Sequence, residues 1–338
     1  LGSSGCGKTT TLRMIAGFET ASSGQIKIGE REVNNLKPAD RNVAMAFEGY
    51  ALYPPLTVRD NIAFSLMREK ISKEKVDSKV VEVAELLEIT DILERYPPSI
   101  SGGQQQRVSL ARALVRDSDA LLLDEPMSQL EPQLRAVLRA RVKDYIQHNN
   151  KTVIFVTHDQ TEAVALADKI AVMENGDLKQ LASPYKNSAK QSNVNVASFI
   201  GEPQMNILKA RINISDNLLK FEVLNEQNEK TFSINFKNEN ISKENLNKLK
   251  NDQLIILGIR PHKIFFNKTE TNFDGKARSS SYHWLGDQVH IGIEINGSSI
   301  IGVADRNFEP STDVKLNFPL ESINIFNIET EEVILNGL

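Results

Sequence analysis

The chain opens with Leu1-Gly2-Ser3-Ser4-Gly5-Cys6-Gly7-Lys8-Thr9-Thr10, the segment from which its fold is most readily predicted. Residues 2–9 fit G-x-x-x-x-G-K-[ST], the pattern of a phosphate-binding P-loop. Glycines let the backbone wrap closely around a phosphate, so that successive N–H groups and the start of the next helix face the anion. Lys8 can then reach the β- and γ-phosphates, while the Thr9 hydroxyl can bind Mg²⁺. Alone, the motif also fits a Gly/Ser-rich turn before a helix.

Two apolar runs later in the chain end in polar residues suited to phosphate chemistry. Residues 120–123 are apolar and lead into Asp124 and Glu125, which predicts a buried strand with carboxylates at its end. Asp124 is placed to hold Mg²⁺, and Glu125 can orient or deprotonate a water molecule. The alternative is a pair of solvated acids. Residues 151–157 predict a second buried strand before His158, a histidine that is either structural or within reach of a γ-phosphate.

A helical segment separates the P-loop from these strands. Residues 57–100 carry apolar side chains at helical spacing, which predicts a helical subdomain inserted in an α/β pattern. Ser101-Gly102-Gly103-Gln104 then precede another apolar-periodic stretch, with Ser101 as the predicted N-cap. The start of this helix can face an anion, although a capped helix with no further role fits equally well.

Composition limits the class of protein. The 338 residues are enough for two domains, and 40% hydrophobic and 25% charged residues are ordinary for a globular chain. A net charge of −4 does not favour nucleic-acid binding. The one cysteine, Cys6, excludes a disulfide framework, and the five histidines are not at metal-ligand spacing. The sequence has no run of transmembrane length and no signal peptide, which predicts a cytosolic protein with a peripheral membrane role left open.

The second part of the chain has a different pattern of apolar and polar residues. From Leu208 onward short runs alternate between apolar and polar residues, and Asn296-Gly297 predicts a hairpin turn. We therefore predict a small β-barrel or sandwich after a domain boundary near Pro203. A buried strand normally feeds a P-loop, and none precedes Leu1, so we expect this sequence to be part of a longer protein.

Taken in order, the motifs resemble those of the ATP-binding subunits of ABC transporters, in the carbohydrate-importer (MalK-like) branch. Residues 2–9 match the Walker A motif, residues 101–104 the signature, residues 121–125 Walker B with its glutamate, and His158 the switch histidine. Residues 50–54 and 156–163 are similar to stretches typical of the sugar importers. In the second part, residues 258–261 and 285–287 resemble marks of the C-terminal TOBE domain.

The resemblance implies a fold. It is an α/β P-loop NTPase with a RecA-like core and a helical subdomain at about 57–115, within an ATPase domain at residues 1–203. An all-β, OB-like TOBE domain with a regulatory role would follow at residues 204–338. The strands that precede the P-loop in this family are missing from the chain.

The resemblance also implies an activity, which is ATP hydrolysis coupled to uptake of a carbohydrate or glycerol-phosphate-like solute. Two ATPase subunits, identical or different, would sandwich ATP so that each P-loop faces the other subunit's signature. Glu125 and His158 would be catalytic, and Mg²⁺ would be held by Thr9, Glu48 and Asp124. The residues implied in ATP binding are Gly2, Ser3, Ser4, Gly5, Cys6, Gly7, Lys8, Thr9, Thr10, Glu48, Ser101, Gly102, Gly103 and Gln104.

The implied partners are transmembrane permease subunits, docked near residues 48–55 and the helical subdomain, and indirectly an extracytoplasmic solute-binding protein. No nucleic-acid partner is expected. The implied location is the cytoplasmic face of the cell membrane, as a peripheral subunit.

Three residues depart from the family pattern. Glu48 stands at the position of the Q-loop glutamine, and Gln129 and Glu131 replace the usual asparagine and aspartate of the D-loop. One hypothesis is that Glu48 and Glu131 mark one half of an unequal ATPase pair, and the alternative is that the changes are neutral in this subfamily. Two other interpretations stay open, a non-transport ABC protein and a degenerate regulatory subunit.

Overall fold

The structure is a computed structural model that describes residues 1–67, 71–185, 191–266, 271–309 and 311–338. The chain divides into two compact units, Leu1–Leu178 and Lys179–Leu338. The boundary predicted near Pro203 lies inside the second unit. Residues 68–70 of the predicted helical insert lie outside the described residues.

The first unit contains the elements predicted around the P-loop. Its helices are α1 (Lys8–Ala16), α2 (Val58–Ala63), α3 (Lys73–Leu86), α4 (Gly102–Leu114), α5 (Pro132–His148) and α6 (Gln160–Leu166). Its strands are β1 (Lys27–Ile28), β2 (Arg31–Glu32), β3 (Val43–Ala46), β4 (Ala120–Asp124), β5 (Val153–Val156) and β6 (Ile170–Glu174), and β7 (Asp177–Ala182) crosses the division.

The three-stranded sheet of the first unit is parallel and has the order β3-β4-β5. Every residue of β4 is buried. Leu121 and Leu123 pack into the cluster formed with the helical insert, whereas Leu122 packs with Leu12 of α1. Since side chains alternate across a strand, a strand covered on both faces must be apolar throughout. The first polar side chains therefore stand at its carboxyl end, where the site lies.

One prediction about this sheet is wrong. The strand predicted over residues 151–157 is present as β5, but it is not buried, because Ile154 is 38% exposed. Within the described residues β5 is hydrogen-bonded only to β4 in this sheet. A strand at the edge of a sheet keeps part of its surface exposed, which a short apolar run does not reveal.

The second unit is mostly β-structure, as the sequence predicts. Its helices are α7 (Val194–Phe199) and α8 (Lys243–Asn247). Its longer strands are β8 (Asn206–Ile214), β9 (Leu218–Leu224), β10 (Lys230–Lys237), β11 (Leu254–Ile259), β14 (Ala277–Leu285), β15 (Gln288–Ile295), β16 (Ser298–Asp305) and β19 (Ile323–Asn327). The shorter strands are β12 (Phe265–Phe266), β13 (Phe273–Asp274), β17 (Asp313–Val314), β18 (Leu316–Asn317) and β20 (Val333–Asn336).

These strands form antiparallel sheets around one apolar core. A sheet with the order β13-β10-β9-β8-β11-β19-β20 and a second with the order β16-β15-β14-β17 share this core, which matches the OB-like expectation. The predicted turn is confirmed, since Asn296 and Gly297 have φ of 47° and 90° between β15 and β16. Two short strands that are close in sequence belong to different sheets, because β17 pairs with β14 and β18 with β12.

In the described parts of the chain, no helix combines the length and the apolar character needed to cross a bilayer.

Candidate active site

The P-loop has the backbone that its glycines predict. Gly5 and Gly7 have φ of 80° and 99°, a region that costs energy for residues with a Cβ atom. A Cβ atom on Gly2 would lie 2.4 Å from the carbonyl oxygen of Met173, so this position tolerates no side chain. The loop ends at Gly7, directly before α1, so the positive end of that helix dipole faces the loop.

Lys8 lies across this loop rather than in solvent. It is 7% exposed, and its Nζ donates to the carbonyl oxygens of Gly2 and Ser3, each at 2.8 Å. The N–H of Cys6 donates to the Ser3 carbonyl at 3.3 Å. These bonds hold the ammonium group of Lys8 within the loop and give it a fixed position.

The end of β4 places two carboxylates beside the P-loop. The Thr9 hydroxyl donates to Oδ1 of Asp124 at 3.1 Å. Burial raises the pKa of Asp124, and the charges of Glu48 and Glu125 raise it further, whereas Thr9 and Lys8 act against this shift. Glu125 follows with φ of 45°, an uncommon conformation for a residue other than glycine, and its N–H donates to the Val156 carbonyl.

His158 meets Glu125 from the end of β5. Its Nδ1–H donates to Oε1 of Glu125 at 2.9 Å, since a carboxylate can only accept. The next residue, Asp159, is the N-cap of α6 and accepts from the N–H groups of Thr161 and Glu162. The cap fixes the start of α6 and hence the loop that carries His158.

A single cavity of about 470 Å³ brings most of the predicted site together. It is lined by residues from the P-loop, from the loop after β3, from the end of β4 and from the end of β5. These residues are Ser4, Gly5, Gly7, Lys8, Thr9, Thr10, Glu48, Glu125 and His158. Asp124 borders it through its hydrogen bond to Thr9.

The signature residues lie apart from this cavity, at the start of α4. The predicted N-cap is confirmed as a capping box, in which the Gln104 N–H donates to Ser101 Oγ and the Ser101 N–H donates to Gln104 Oε1. A Cβ atom on Gly103 would lie 3.2 Å from the carbonyl oxygen of Gln129, so the glycine permits close packing against that loop. Within this chain, Ser101, Gly102, Gly103 and Gln104 are not among the residues that line the cavity.

Gln106 connects the two parts of the site, and the sequence analysis missed it. Its side chain is 2% exposed. Its Nε2 donates to the Glu125 carbonyl at 3.0 Å and to Ser128 Oγ at 3.1 Å, and its Oε1 accepts from the Gln129 N–H at 2.9 Å. A polar residue on the inner face of α4 was the available signal, because buried amides need partners.

Asn61 was also missed, although it organises the loop that follows Glu48. It is fully buried, its Oδ1 accepts from the Tyr53 N–H, and its Nδ2 donates to the carbonyls of Tyr53, Leu56 and Thr57. Arg112 donates to the Ala51 carbonyl at 2.6 Å and lies over the Tyr53 ring. This loop is therefore tied to α2 and α4.

The oxygen ligands at the P-loop fit Mg²⁺. The Thr9 hydroxyl and the Asp124 carboxylate are 3.1 Å apart, and Glu48 and Glu125 supply further hard oxygen atoms around the same cavity. Among the described residues, no group of three or more His, Cys, Asp or Glu side chains is arranged to hold a metal by itself. Mg²⁺ commonly binds through one or two carboxylates together with the phosphates of a nucleotide.

A glycine-rich loop before a helix, a strand-end carboxylate bonded to the loop threonine and a neighbouring Glu–His pair together define a P-loop ATPase. The family model described as ABC transporter matches residues 1–128. The chain is 38% identical over 352 residues to the trehalose/maltose import ATP-binding protein MalK of Thermococcus litoralis, covering 99% of this chain and 91% of that protein. The chain belongs to the family of ABC transporter ATP-binding proteins.

Two further similarities agree with this assignment. The chain is 47% identical over 210 residues to the sn-glycerol-3-phosphate import ATP-binding protein UgpC of Brucella abortus, covering 62% of this chain and 60% of that protein. Among solved structures, a dimeric ATP-binding cassette in a post-hydrolysis state with ADP and Pi bound matches with a TM-score of 0.51 and 27% identity. That match covers 54% of this chain and 83% of the cassette.

Proposed function

We propose that this chain is the ATP-hydrolysing subunit of an ABC importer for a carbohydrate or a glycerol-phosphate-like solute. The observation that carries the proposal is the cavity in which the P-loop, Glu125 and His158 meet. Relatives named for import of trehalose or maltose and of glycerol 3-phosphate support this class of solute.

Each part of the cavity has a role in ATP hydrolysis. The backbone N–H groups of residues 2–10 and Lys8 bind the phosphates of ATP. Thr9, Asp124 and Glu48 would hold Mg²⁺, which would neutralise charge on the phosphate oxygens when bound. Glu125 orients the attacking water and accepts its proton, and His158 contacts the γ-phosphate.

The signature completes the site from a second subunit. The start of α4 offers backbone N–H groups and small side chains. The lysine and the carboxylates of the described cavity lie instead at the P-loop. Ser101, Gly102, Gly103 and Gln104 therefore bind ATP held by the P-loop of another copy. The dimeric state of the similar cassette with ADP and Pi supports this arrangement.

We also propose two domains, a location at the membrane and permease subunits as partners. Residues 1–203 form the ATPase domain, with the helical subdomain at about 57–115, and residues 204–338 form the regulatory TOBE domain. The subunit lies at the cytoplasmic face of the membrane and binds permease subunits through residues 48–55 and the helical subdomain. A solute-binding protein acts on the opposite side and does not contact it.

The test is the substitution Glu125→Gln, which keeps the size of the side chain and removes its basicity. We expect the rate of ATP hydrolysis in the assembled transporter to fall by about 10²- to 10⁴-fold, while ATP binding is retained. Glu30→Gln, at an exposed turn outside the cavity, is the matched control and keeps full activity. Unchanged hydrolysis and uptake in the Glu125→Gln variant would refute the catalytic assignment.

A further inference from the structure

The nucleotide cavity contains more negative than positive charge. Glu48, Glu125 and the bordering Asp124 are acidic, whereas Lys8 is the one lysine or arginine among the residues that line the described cavity. The ammonium group of Lys8 already donates to two backbone carbonyl oxygens at 2.8 Å. His158 adds a donor but directs its Nδ1–H to Glu125. The titratable side chains around this cavity therefore carry more negative than positive charge, and this charge opposes the binding of a triphosphate.

Glu48 is a third carboxylate at this site, besides Asp124 and Glu125 at the end of β4. It comes from a different loop, yet it lines the same cavity as Thr9 and Glu125. Burial raises the pKa of both Asp124 and the neighbouring Tyr50, and the charge of Glu48 adds to each shift. Glu48 is thus electrostatically coupled to the carboxylate that would bind the metal.

The position of Glu48 is supported by the surrounding structure. Glu48 follows β3 and lies within a turn that is closed by a hydrogen bond from the Tyr50 N–H to the Phe47 carbonyl at 3.1 Å. The loop then continues through Ala51, bound by Arg112, and Tyr53, bound by Asn61. These contacts anchor the backbone on both sides of Glu48, so its carboxylate is carried by a loop that is attached beside the cavity.

We propose that Glu48 makes nucleotide binding in this cavity conditional on a divalent cation, and this inference rests on the proposed function. A free nucleoside triphosphate is repelled by the three carboxylates, whereas its complex with a divalent cation carries two fewer negative charges and gains Glu48 as an oxygen ligand. A neutral amide at this position would bind the metal through its carbonyl oxygen without repelling the metal-free nucleotide. Glu48 therefore selects the metal-bound form of the nucleotide.

The test measures binding of the non-hydrolysable analogue AMP-PNP by calorimetry, once in Mg²⁺ and once in EDTA. The quantity to compare is the ratio of the Kd in EDTA to the Kd in Mg²⁺. For Glu48→Gln we expect this ratio to fall by about tenfold or more relative to the unaltered protein, mainly because metal-free binding becomes tighter. Glu48→Asp, which keeps the charge, retains a ratio within about threefold of the unaltered protein.

A matched control removes an equal charge elsewhere. Glu30→Gln lies at an exposed turn between β1 and β2, and it keeps the ratio of the unaltered protein. If the ratio is the same for Glu48→Gln and the unaltered protein while both bind AMP-PNP in Mg²⁺, this inference is overturned and the proposed function stands. If the unaltered protein binds no AMP-PNP even in Mg²⁺, the proposed function fails and this inference fails with it.

Discussion

The P-loop and the signature both place small residues at the start of a helix, yet their surroundings differ. Before α1, glycines with positive φ, a lysine and a threonine meet carboxylates from two strand ends. Before α4, Ser101 and Gln104 satisfy each other in a capping box, and the first turn of the helix has no acidic residue. The first motif lies beside the groups that we propose to be catalytic, whereas the second offers a neutral, capped helix start.

This difference fits the proposed site, in which a second copy supplies the signature. A neutral helix N-terminus attracts phosphate through its dipole and its N–H groups, but it contributes no group able to activate water. The charged cavity has such a group in Glu125, together with an excess of negative charge. A signature brought from a second copy supplies positive potential without adding a further carboxylate. Substitutions that alter only one of the two motifs can test this account.

Among substitutions that alter only one of the two motifs, we expect the largest effect for Ser101→Asp. Aspartate is as good an N-cap as serine, so the fold of α4 is kept, but its charge would face the phosphates held by the other copy. We expect ATP hydrolysis to fall by roughly 10²-fold, and AMP-PNP binding by the single subunit to stay within about threefold of the unaltered protein. Both are measured on the purified protein.

Ser101→Ala is the control for that substitution. It removes the cap, which costs about 1 kcal/mol in the stability of the helix start, without introducing charge. Its hydrolysis should decrease far less than that of Ser101→Asp. Equal losses in the two variants would mean that the cap, and not the approach of a second nucleotide, is what matters at this motif.

A smaller effect is expected for Gln106→Leu, which breaks the connection between the two motifs. The Glu125 carbonyl, Ser128 Oγ and the Gln129 N–H each lose a partner. We expect kcat to fall by about tenfold with little change in KM, and the free energy of unfolding to decrease by about 1–3 kcal/mol. Steady-state kinetics and urea unfolding measure these changes. Loss of stability with unchanged kcat would assign Gln106 a purely structural role.

The features of the site that could be predicted are those set by residues close together in the sequence. The P-loop requires positive φ at Gly5 and Gly7, and β4 must be apolar until Asp124 because both of its faces are covered. The capping box at Ser101 and Gln104 is equally local, since its members are three residues apart. In each case the residue types follow from the nearby backbone.

The rest depended on residues far apart in the chain. Gln106 bonds to atoms 19 to 23 residues away, so its partners become visible only when α4 lies against the loop after β4. The exposure of Ile154 depends on which strands flank β5, and the apolar run of β5 does not indicate its neighbours. The balance of charge around Glu48 could likewise be determined only from the cavity, because the residues beside Glu48 come from three separate segments of the chain.

The central claim is that the P-loop of one copy and the signature of another form one ATPase site. Its most direct test mixes equal amounts of Lys8→Ala and Ser101→Asp proteins, for each of which we expect little activity alone, and measures ATP hydrolysis. Half of the dimers are then mixed, and each mixed dimer has one complete site, so we predict recovery to about a quarter of the unaltered activity. Activity that stays at the level of the separate variants would show that the two motifs do not meet across a dimer of this chain.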